Sequence, residues 1–156
     1  MGRHTVVTDR IQLCVNGGSV FDLELRGNLV VVEGYSGQGK TYFFNSLRDV
    51  KYSEFPVNVQ GVDLSKVEFI NIFSKGQVDL KAFIQKSEGK LFIIDNADSL
   101  LTNELAAYIG WDIKNQYIVF ARASWPFGVS PNYYAGMRIV GNKHVLQYAY
   151  SVKGWY

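Results

Sequence analysis

Eight consecutive residues carry the clearest chemical signal in the chain. They follow the spacing G-x-x-x-x-G-K-[ST] and read Gly34-Tyr35-Ser36-Gly37-Gln38-Gly39-Lys40-Thr41. Glycines at these positions allow successive backbone N–H groups to turn toward a phosphate group and form an anion-binding nest. The lysine of such a loop reaches the β- and γ-phosphates as a point charge, and the hydroxyl that follows ligates Mg²⁺. The spacing therefore predicts a phosphate-binding loop that holds a nucleotide together with Mg²⁺.

The sequence on either side of the loop has the pattern that such a loop requires. Residues 28–33 form a short apolar, β-branched run that is typical of a buried strand. Residues 40–50 have helical spacing, with four apolar side chains on one face: Phe43, Phe44, Leu47 and Val50. A helix that begins at Lys40 directs the positive end of its dipole at a bound phosphate. We therefore expect a strand, a glycine loop and a helix in succession.

A second candidate ligand follows another apolar run. Residues 91–94 are Leu-Phe-Ile-Ile, and Asp95 comes directly after them. An aspartate at the carboxyl end of a buried parallel strand lies at the ligand-binding edge of the sheet, where it can hold Mg²⁺ through water opposite Thr41. The alternative is an aspartate that caps the next helix.

The composition indicates one globular domain spanning residues 1–156. Hydrophobic residues make up 47% of the chain and charged residues 19%, which excludes a disordered polypeptide. The net charge of +2 and the absence of a Lys/Arg run give no clear nucleic-acid signal. No apolar stretch is long enough for a membrane span. The single cysteine, Cys14, excludes an internal disulfide and favours a reducing, cytoplasmic location.

Periodicity and turn signals predict the remaining elements. A hairpin is expected at 10–15 and 20–25, and a short edge strand near Val57 and Val59. Three further strands are predicted at 67–73, 90–95 and 116–121, helices at 77–87 and 99–109, and two closing strands at 137–140 and 144–150. Strands that alternate with short helices favour a parallel sheet with helices on both faces, and hairpins at the ends add antiparallel edges.

Taken together, the two motifs resemble those of the P-loop NTPases. Residues 34–41 resemble a Walker A motif and residues 91–95 a Walker B strand, within a similarity that covers roughly residues 20–125. The resemblance points to the branch that holds the AAA+, STAND, RecA-like and ABC ATPases. It implies an α/β fold, namely a three-layer P-loop NTPase sandwich whose mostly parallel sheet has antiparallel edge hairpins. ATP and Mg²⁺ are the implied ligands, with Phe21 and Tyr42 as candidate adenine contacts.

The chain also departs from that pattern. Many of these ATPases place a glutamate after the Walker B aspartate to polarise the attacking water, whereas this chain has Asn96. Asp98 either replaces that glutamate or caps the following helix. Arg122, and more weakly Ser124, follow the strand predicted at 116–121, where related ATPases place a sensor of the γ-phosphate. The alternative for Arg122 is a surface residue. The resemblance thus implies Lys40, Asp98 and Arg122 as the catalytic candidates. The sequence has neither the LSGGQ signature of an ABC ATPase nor residues for the helical lid of an AAA+ protein.

Three functions remain open from the sequence. The first is an ATP-binding module with slow Mg²⁺-dependent hydrolysis, completed by a protein partner or by a second copy of the chain. The second is a small-molecule kinase, which usually carries an arginine-rich lid, whereas residues 122–143 contain only Arg122, Arg138 and Lys143 as cations. The third is a non-hydrolysing adaptor that keeps the fold for protein contacts. The intact Lys40 and Thr41 argue against it, because neither residue is needed for packing.

Overall fold

The computed structural model describes residues 5–15, 18–34, 39–52, 59–71, 79–122 and 133–148. These residues form nine strands: β1 (Arg10–Cys14), β2 (Val20–Glu24), β3 (Leu29–Glu33), β4 (Val59–Gln60), β5 (Val67–Ile70), β6 (Leu91–Ile94), β7 (Gln116–Ala121), β8 (Tyr134–Val140) and β9 (Lys143–Tyr148). They also form four α-helices: α1 (Lys40–Tyr52), α2 (Leu80–Lys86), α3 (Ala97–Leu100) and α4 (Asn103–Trp111). A single 3₁₀ turn, Leu64–Lys66, precedes β5.

All nine strands belong to one sheet in the order β4-β1-β2-β9-β8-β3-β7-β6-β5. The five strands from β8 to β5 run parallel to one another. β8 and β9 form an antiparallel hairpin, and β9 then pairs in parallel with β2. β2, β1 and β4 continue as antiparallel neighbours to the other edge. The sheet is therefore mixed, and strands from the start and the end of the described chain meet in its middle.

The central parallel strands β3, β6 and β7 are buried on both faces because helices cover both. Every residue of β6 and β7 is buried, as the apolar runs in the sequence predict. Successive side chains of β3 point to opposite faces, so Val30 and Val32 pack with α1, whereas Leu29 and Val31 pack with α4. β1 and β2 instead alternate between buried and more exposed residues, and only their inner face joins the core around α1.

Aromatic contacts show that the sheet curls around α1. The ring of Phe43 on α1 lies 5.2 Å from that of Phe21 on β2 and 6.2 Å from that of Phe120 on β7. β2 and β7 are four positions apart in the sheet, and strands at that separation would lie about 19 Å apart in a flat sheet. One phenylalanine can touch both strands only because the sheet bends over the helix.

The expected fold class, a three-layer P-loop NTPase sandwich with a mostly parallel sheet and antiparallel edge hairpins, is wrong. The structure is one curled, mixed sheet of nine strands, in which about 38% of the described residues lie in strands and about 32% in helices, 3₁₀ residues included. Three of its eight pairings are antiparallel. The β8–β9 hairpin does not lie at an edge, because β9 pairs with β2 as well as with β8. Local periodicity identifies strands, but it does not indicate which distant strand will pair with them.

Most individual elements were predicted at the right places. The β1–β2 hairpin, β3, α1, β6 and β7 are confirmed, and so is a strand at the edge through Val59. The single helix predicted at 99–109 is wrong, because the chain forms α3 and α4 with a break at Leu101 and Thr102. The second of these helices continues past the predicted end at 109, and Gly110 lies within α4. Val57 and the predicted ends at 72–73, 77–78 and 149–150 lie outside the described residues.

Candidate functional site

Three chain segments meet at one edge of the parallel strands. β7 lies between β3 and β6, and the pairing of Glu33 with Ala121 and of Ile94 with Val119 brings the carboxyl ends of these strands together. Gly34 follows β3, Asp95 follows β6 and Arg122 follows β7. Ligands of open α/β sheets bind outside the carboxyl ends of the strands, where the strand order reverses. Here that reversal occurs at β3, which has β7 on one side and β8 on the other.

The structure brings together the two predicted metal ligands. The Thr41 hydroxyl Oγ1 donates a hydrogen bond of 3.2 Å to Oδ2 of Asp95, although 54 residues separate them in sequence. Thr41 occupies the first turn of α1, which opens with a 2.9 Å hydrogen bond from the Phe43 N–H to the Gly39 carbonyl. Asp95 is 5% exposed. A hydroxyl and a carboxylate in contact form an oxygen pair of the kind that Mg²⁺ binds together with phosphate and water.

Lys40 lies beside this pair and is almost completely buried, at 7% exposure. Its Nζ donates a hydrogen bond of 2.7 Å to the carbonyl of Gly34, at the start of the predicted loop. Burial lowers the pKa of the ammonium, and the charge of Arg122 lowers it further, whereas Asp95 and Asp98 oppose the shift. A buried cation of this kind gains from an anion placed next to it.

The environment of Asp95 is unfavourable to its charge for the same reason. Burial raises the pKa of the Asp95 carboxyl, against the hydrogen bonds from Thr41 and from the Asn96 N–H and against the charge of Lys40. The Asn96 N–H donates to Oδ1 of Asp95 over 3.1 Å. The N-cap residue of α3 is Asn96, so the alternative interpretation of Asp95 as a helix cap is wrong.

Asp98 and Arg122 line the same cleft as Lys40, Thr41 and Asp95, and both are exposed. Asp98 lies in the first turn of α3, and the N-caps of α3 and α4 are Asn96 and Thr102. Asp98 is therefore not a helix cap. The structure brings all three catalytic candidates together, while their catalytic roles stay predictions.

The remaining predicted nucleotide-binding residues do not all lie within the described part of the chain. Tyr35, Ser36, Gly37, Gln38 and Ser124 lie outside the described residues. Gly39 has φ +97°, a backbone conformation that residues with a side chain rarely adopt. A Cβ there would also lie too close to neighbouring atoms, 3.1 Å from His144 Nδ1 and 3.2 Å from Met137 Sδ. Tyr42 is 45% exposed and packs edge-on against Phe21, which is fully buried. Of the two adenine candidates, Tyr42 alone keeps surface for a ligand.

The cleft is small and is lined mostly by charged and polar residues. Its volume is about 60 Å³, enough for a few water molecules. No group of three or more His, Cys, Asp or Glu side chains in the described part of the chain could hold a metal ion. Mg²⁺ needs no such group, since it is usually held by one or two protein ligands, several waters and the phosphates of the substrate. Thr41 and Asp95 satisfy that requirement.

A larger groove of about 810 Å³ lies on the outer side of β2 and β9. Four of its charged residues form ion pairs: Arg10 contacts Asp22 at 2.7 Å, and Arg26 contacts Glu24 at 3.2 Å. None of the predicted site residues lines it. The cleft at the strand ends is therefore the better candidate for chemistry.

Sequence reasoning missed two features next to the site. The backbone of Asn96 is left-handed, at φ 54° and ψ 45°. The comparison with the ATPase motif concerns only the glutamate that Asn96 replaces and does not predict this conformation. His144 on β9 stacks on Phe21 at 4.3 Å and approaches Gly39, a contact between residues far apart in the chain. The first feature has a local signal, because asparagine tolerates left-handed backbone better than most residues. The second has none.

No known protein family and no curated protein matches the chain. Among solved structures, one of ribosome-bound archaeal Pelota and ABCE1 contains a similar chain, with a TM-score of 0.47 and 12% sequence identity. The similarity covers 94% of the present chain and 35% of that chain, so the present chain spans about a third of its length. Among the described helices, none combines the length and the apolar character needed to cross a bilayer. The cytoplasmic location stays a prediction.

Proposed function

We propose that the chain binds ATP with Mg²⁺ at the cleft formed by Lys40, Thr41 and Asp95. The observation that supports this most directly is the 3.2 Å contact between the Thr41 hydroxyl and the Asp95 carboxylate. That contact joins the two residues that the sequence motifs select as metal ligands, and it lies at the helix start where phosphate is expected. Gly34, Lys40 and Thr41 would surround the β- and γ-phosphates.

Each residue of the cleft that this proposal uses has a defined part in it. Lys40 exchanges its hydrogen bond with the Gly34 carbonyl for one with a phosphate oxygen, and the ligand then compensates the buried charge. The Thr41 hydroxyl and the Asp95 carboxylate would hold Mg²⁺, which would supply positive charge beside the phosphates. Arg122, exposed just after β7 and lining the cleft, would offer a second cation to the terminal phosphate.

Hydrolysis by this site is proposed to be slow. Attack on the γ-phosphate requires an oriented water and compensation of the developing charge. The amide of Asn96 cannot accept a proton as a base, and Asp98 is the carboxylate left to orient the water. A protein partner or a second copy of the chain that supplied an arginine would raise the rate by a factor of roughly 10³ to 10⁵. We therefore propose a nucleotide-dependent module that acts together with a partner.

The first prediction tests nucleotide binding through Lys40. Calorimetric titration of the wild-type chain with Mg²⁺ and ATP, ADP or GTP should show binding, and Lys40→Ala should weaken it roughly a hundredfold, because hydrogen bonds to charged groups are lost. Lys86→Ala, which removes an exposed lysine at the end of α2, is the matched control and should bind as the wild type does. Phosphate release by the wild type should stay below about 1 per second.

Several outcomes would contradict this proposal. A wild-type chain that binds no nucleotide, or an equal loss in Lys86→Ala and Lys40→Ala, would exclude the site. A monomer that releases several phosphates per second would contradict slow hydrolysis. Binding with no detectable release under any condition would instead support the non-hydrolysing adaptor. Urea unfolding of both variants should confirm that each is folded.

A further inference from the structure

Asn96 has the only left-handed backbone among the described non-glycine residues. Its angles are φ 54° and ψ 45°, and it stands directly after Asp95. Side chains with a Cβ occupy this region at a cost in free energy, although asparagine tolerates it better than most. Such backbone persists where the surrounding structure enforces it, and it concentrates at functional sites.

The surrounding hydrogen bonds fix the main chain of Asn96 and do not use its side chain as a helix cap. The Asp95 N–H donates to the Ile70 carbonyl over 2.9 Å, and the Ser99 N–H donates to the Asn96 carbonyl over 3.0 Å. The Asn96 N–H is held by Asp95. Although Asn96 is the N-cap residue of α3, its amide makes no capping hydrogen bond. The side chain is exposed and lines the cleft.

The chemistry of the cleft gives this amide a use. Lys40, Arg122, Asp95 and Asp98 all carry charge, and Asn96 is a neutral group among them that offers both N–H donors and a carbonyl acceptor. An amide can bond to a phosphate oxygen without adding charge beside the metal. Its place next to Asp95 puts it beside the carboxylate that would hold Mg²⁺, and so near the phosphates whose charge the ion would neutralise.

We infer that Asn96 recognises the third phosphate of the nucleotide, donating from its amide to a γ-phosphate oxygen, and so selects a triphosphate over a diphosphate. This inference rests on the proposed function and adds a residue that determines specificity. The left-handed backbone is the means of placement, since it turns the side chain out of the cap position and into the cleft. Asn96 therefore acts as a ligand-binding residue and not as a general base.

Two substitutions distinguish the role of the Asn96 amide from the role of its left-handed backbone. Asn96→Gly keeps the left-handed conformation without strain and removes only the side chain. Asn96→Asp keeps the size and much of the tolerance for this backbone, but it places a negative charge beside the γ-phosphate. For each variant, the dissociation constants of ADP and of a non-hydrolysable ATP analogue are measured with Mg²⁺, and their ratio is the readout.

In Asn96→Gly, the preference for the triphosphate analogue over ADP should fall roughly tenfold, while ADP affinity stays unchanged. The preference should fall further in Asn96→Asp, because like charges repel. Urea unfolding should show Asn96→Gly to be as stable as the wild type. An unchanged preference in Asn96→Gly would overturn the inference, whatever its stability. A wild type that binds ADP and the analogue with equal affinity would overturn it as well while leaving the proposed function standing, and a wild type that binds neither would overturn both.

Discussion

At the scale of single residues, the site is built from charges that burial disfavours. Burial is the largest cause of both shifts, lowering the pKa of Lys40 and raising that of Asp95. The two groups attract each other, but that attraction only partly offsets the loss of water. A phosphate next to Lys40 and a magnesium ion next to Asp95 would each favour the charged form of its neighbour. Under the proposed function, an anion and a cation would therefore stabilise the site together.

The second prediction follows from the raised pKa of Asp95. As the pH falls through that pKa, which lies above the usual value of 3.8, the carboxyl takes up a proton and can no longer hold Mg²⁺. The gain in nucleotide affinity due to Mg²⁺ should therefore shrink as the pH is lowered from about 8 to about 4.5. Titrations with and without Mg²⁺ at each pH measure this gain.

The control for the pH prediction is Asp95→Asn. This variant should show a small Mg²⁺ effect at all pH values, and any slope that remains belongs to the nucleotide itself. Because the folded pKa of Asp95 is raised, the folded state binds more protons than the unfolded state just above pH 3.8. This carboxyl therefore favours folding as the pH falls, and acid unfolding would have to come from other groups. A Mg²⁺ gain with the same pH slope in wild type and Asp95→Asn would contradict the assignment.

At the scale of elements, the break between α3 and α4 decides where Asp98 lies. Leu101 and Thr102 have extended backbone, and both Leu100 and Leu101 are buried. Thr102 caps the next helix through its side chain, which accepts a hydrogen bond from the Leu105 N–H. The chain therefore ends α3 after one turn and begins α4 at a new cap. This short α3 keeps Asp98 close to the strand edge and to Lys40.

The third prediction concerns that cap. The Thr102 hydroxyl accepts a hydrogen bond of 3.1 Å from the Leu105 N–H. Thr102→Ala should lower the free energy of unfolding by about 1 kcal/mol, and Thr102→Ser should retain most of it, because serine caps equally well. Urea unfolding monitored by circular dichroism measures the difference. Equal losses in the two variants would mean that the methyl group of Thr102 contributes, and not the cap.

At the scale of the whole molecule, one buried glutamine joins the start of the described chain to the parallel strands. Gln116, at the first position of β7, is fully buried. Its Oε1 accepts hydrogen bonds from the Val7 and Thr8 N–H groups over 2.8 and 3.0 Å, and its Nε2 donates to the Thr8 carbonyl over 2.7 Å. These bonds lie at the end of β7 opposite the candidate site, so they stabilise the sheet without touching the ligand.

The fourth test is therefore a separation of stability from binding. Gln116→Ala leaves three main-chain groups near Thr8 without their partner and should lower the free energy of unfolding by about 2–4 kcal/mol. Gln85→Ala, on the exposed side of α2, should change it by less than about 0.5 kcal/mol. Nucleotide affinity should be the same in both variants at a temperature where both are folded. A weakened affinity in Gln116→Ala alone would show that the two ends of β7 are coupled.

The sequence by itself determined the local elements and the candidate residues. The helix predicted from residue 40 is α1, and the strand predicted at 116–121 is β7 with the same bounds. These elements depend on neighbouring residues alone: the period of apolar side chains, the glycines and the turn residues. The spacing of Gly34, Gly39, Lys40 and Thr41 is likewise a local property. Chemistry that resides in one short segment can be predicted from that segment.

The tertiary structure alone decided how the sheet is assembled and what the site contains. Nothing near β9 in the sequence indicates that Val20, Phe21 and Asp22 of β2 will pair with it, and this pairing is what makes the predicted sandwich wrong. Thr41 meets Asp95 only because β3, β7 and β6 pair in a particular register. The curl over Phe43 is also decided by contacts between residues distant in the chain. Such pairing and packing depend on the free energy of the whole chain, which local patterns do not contain.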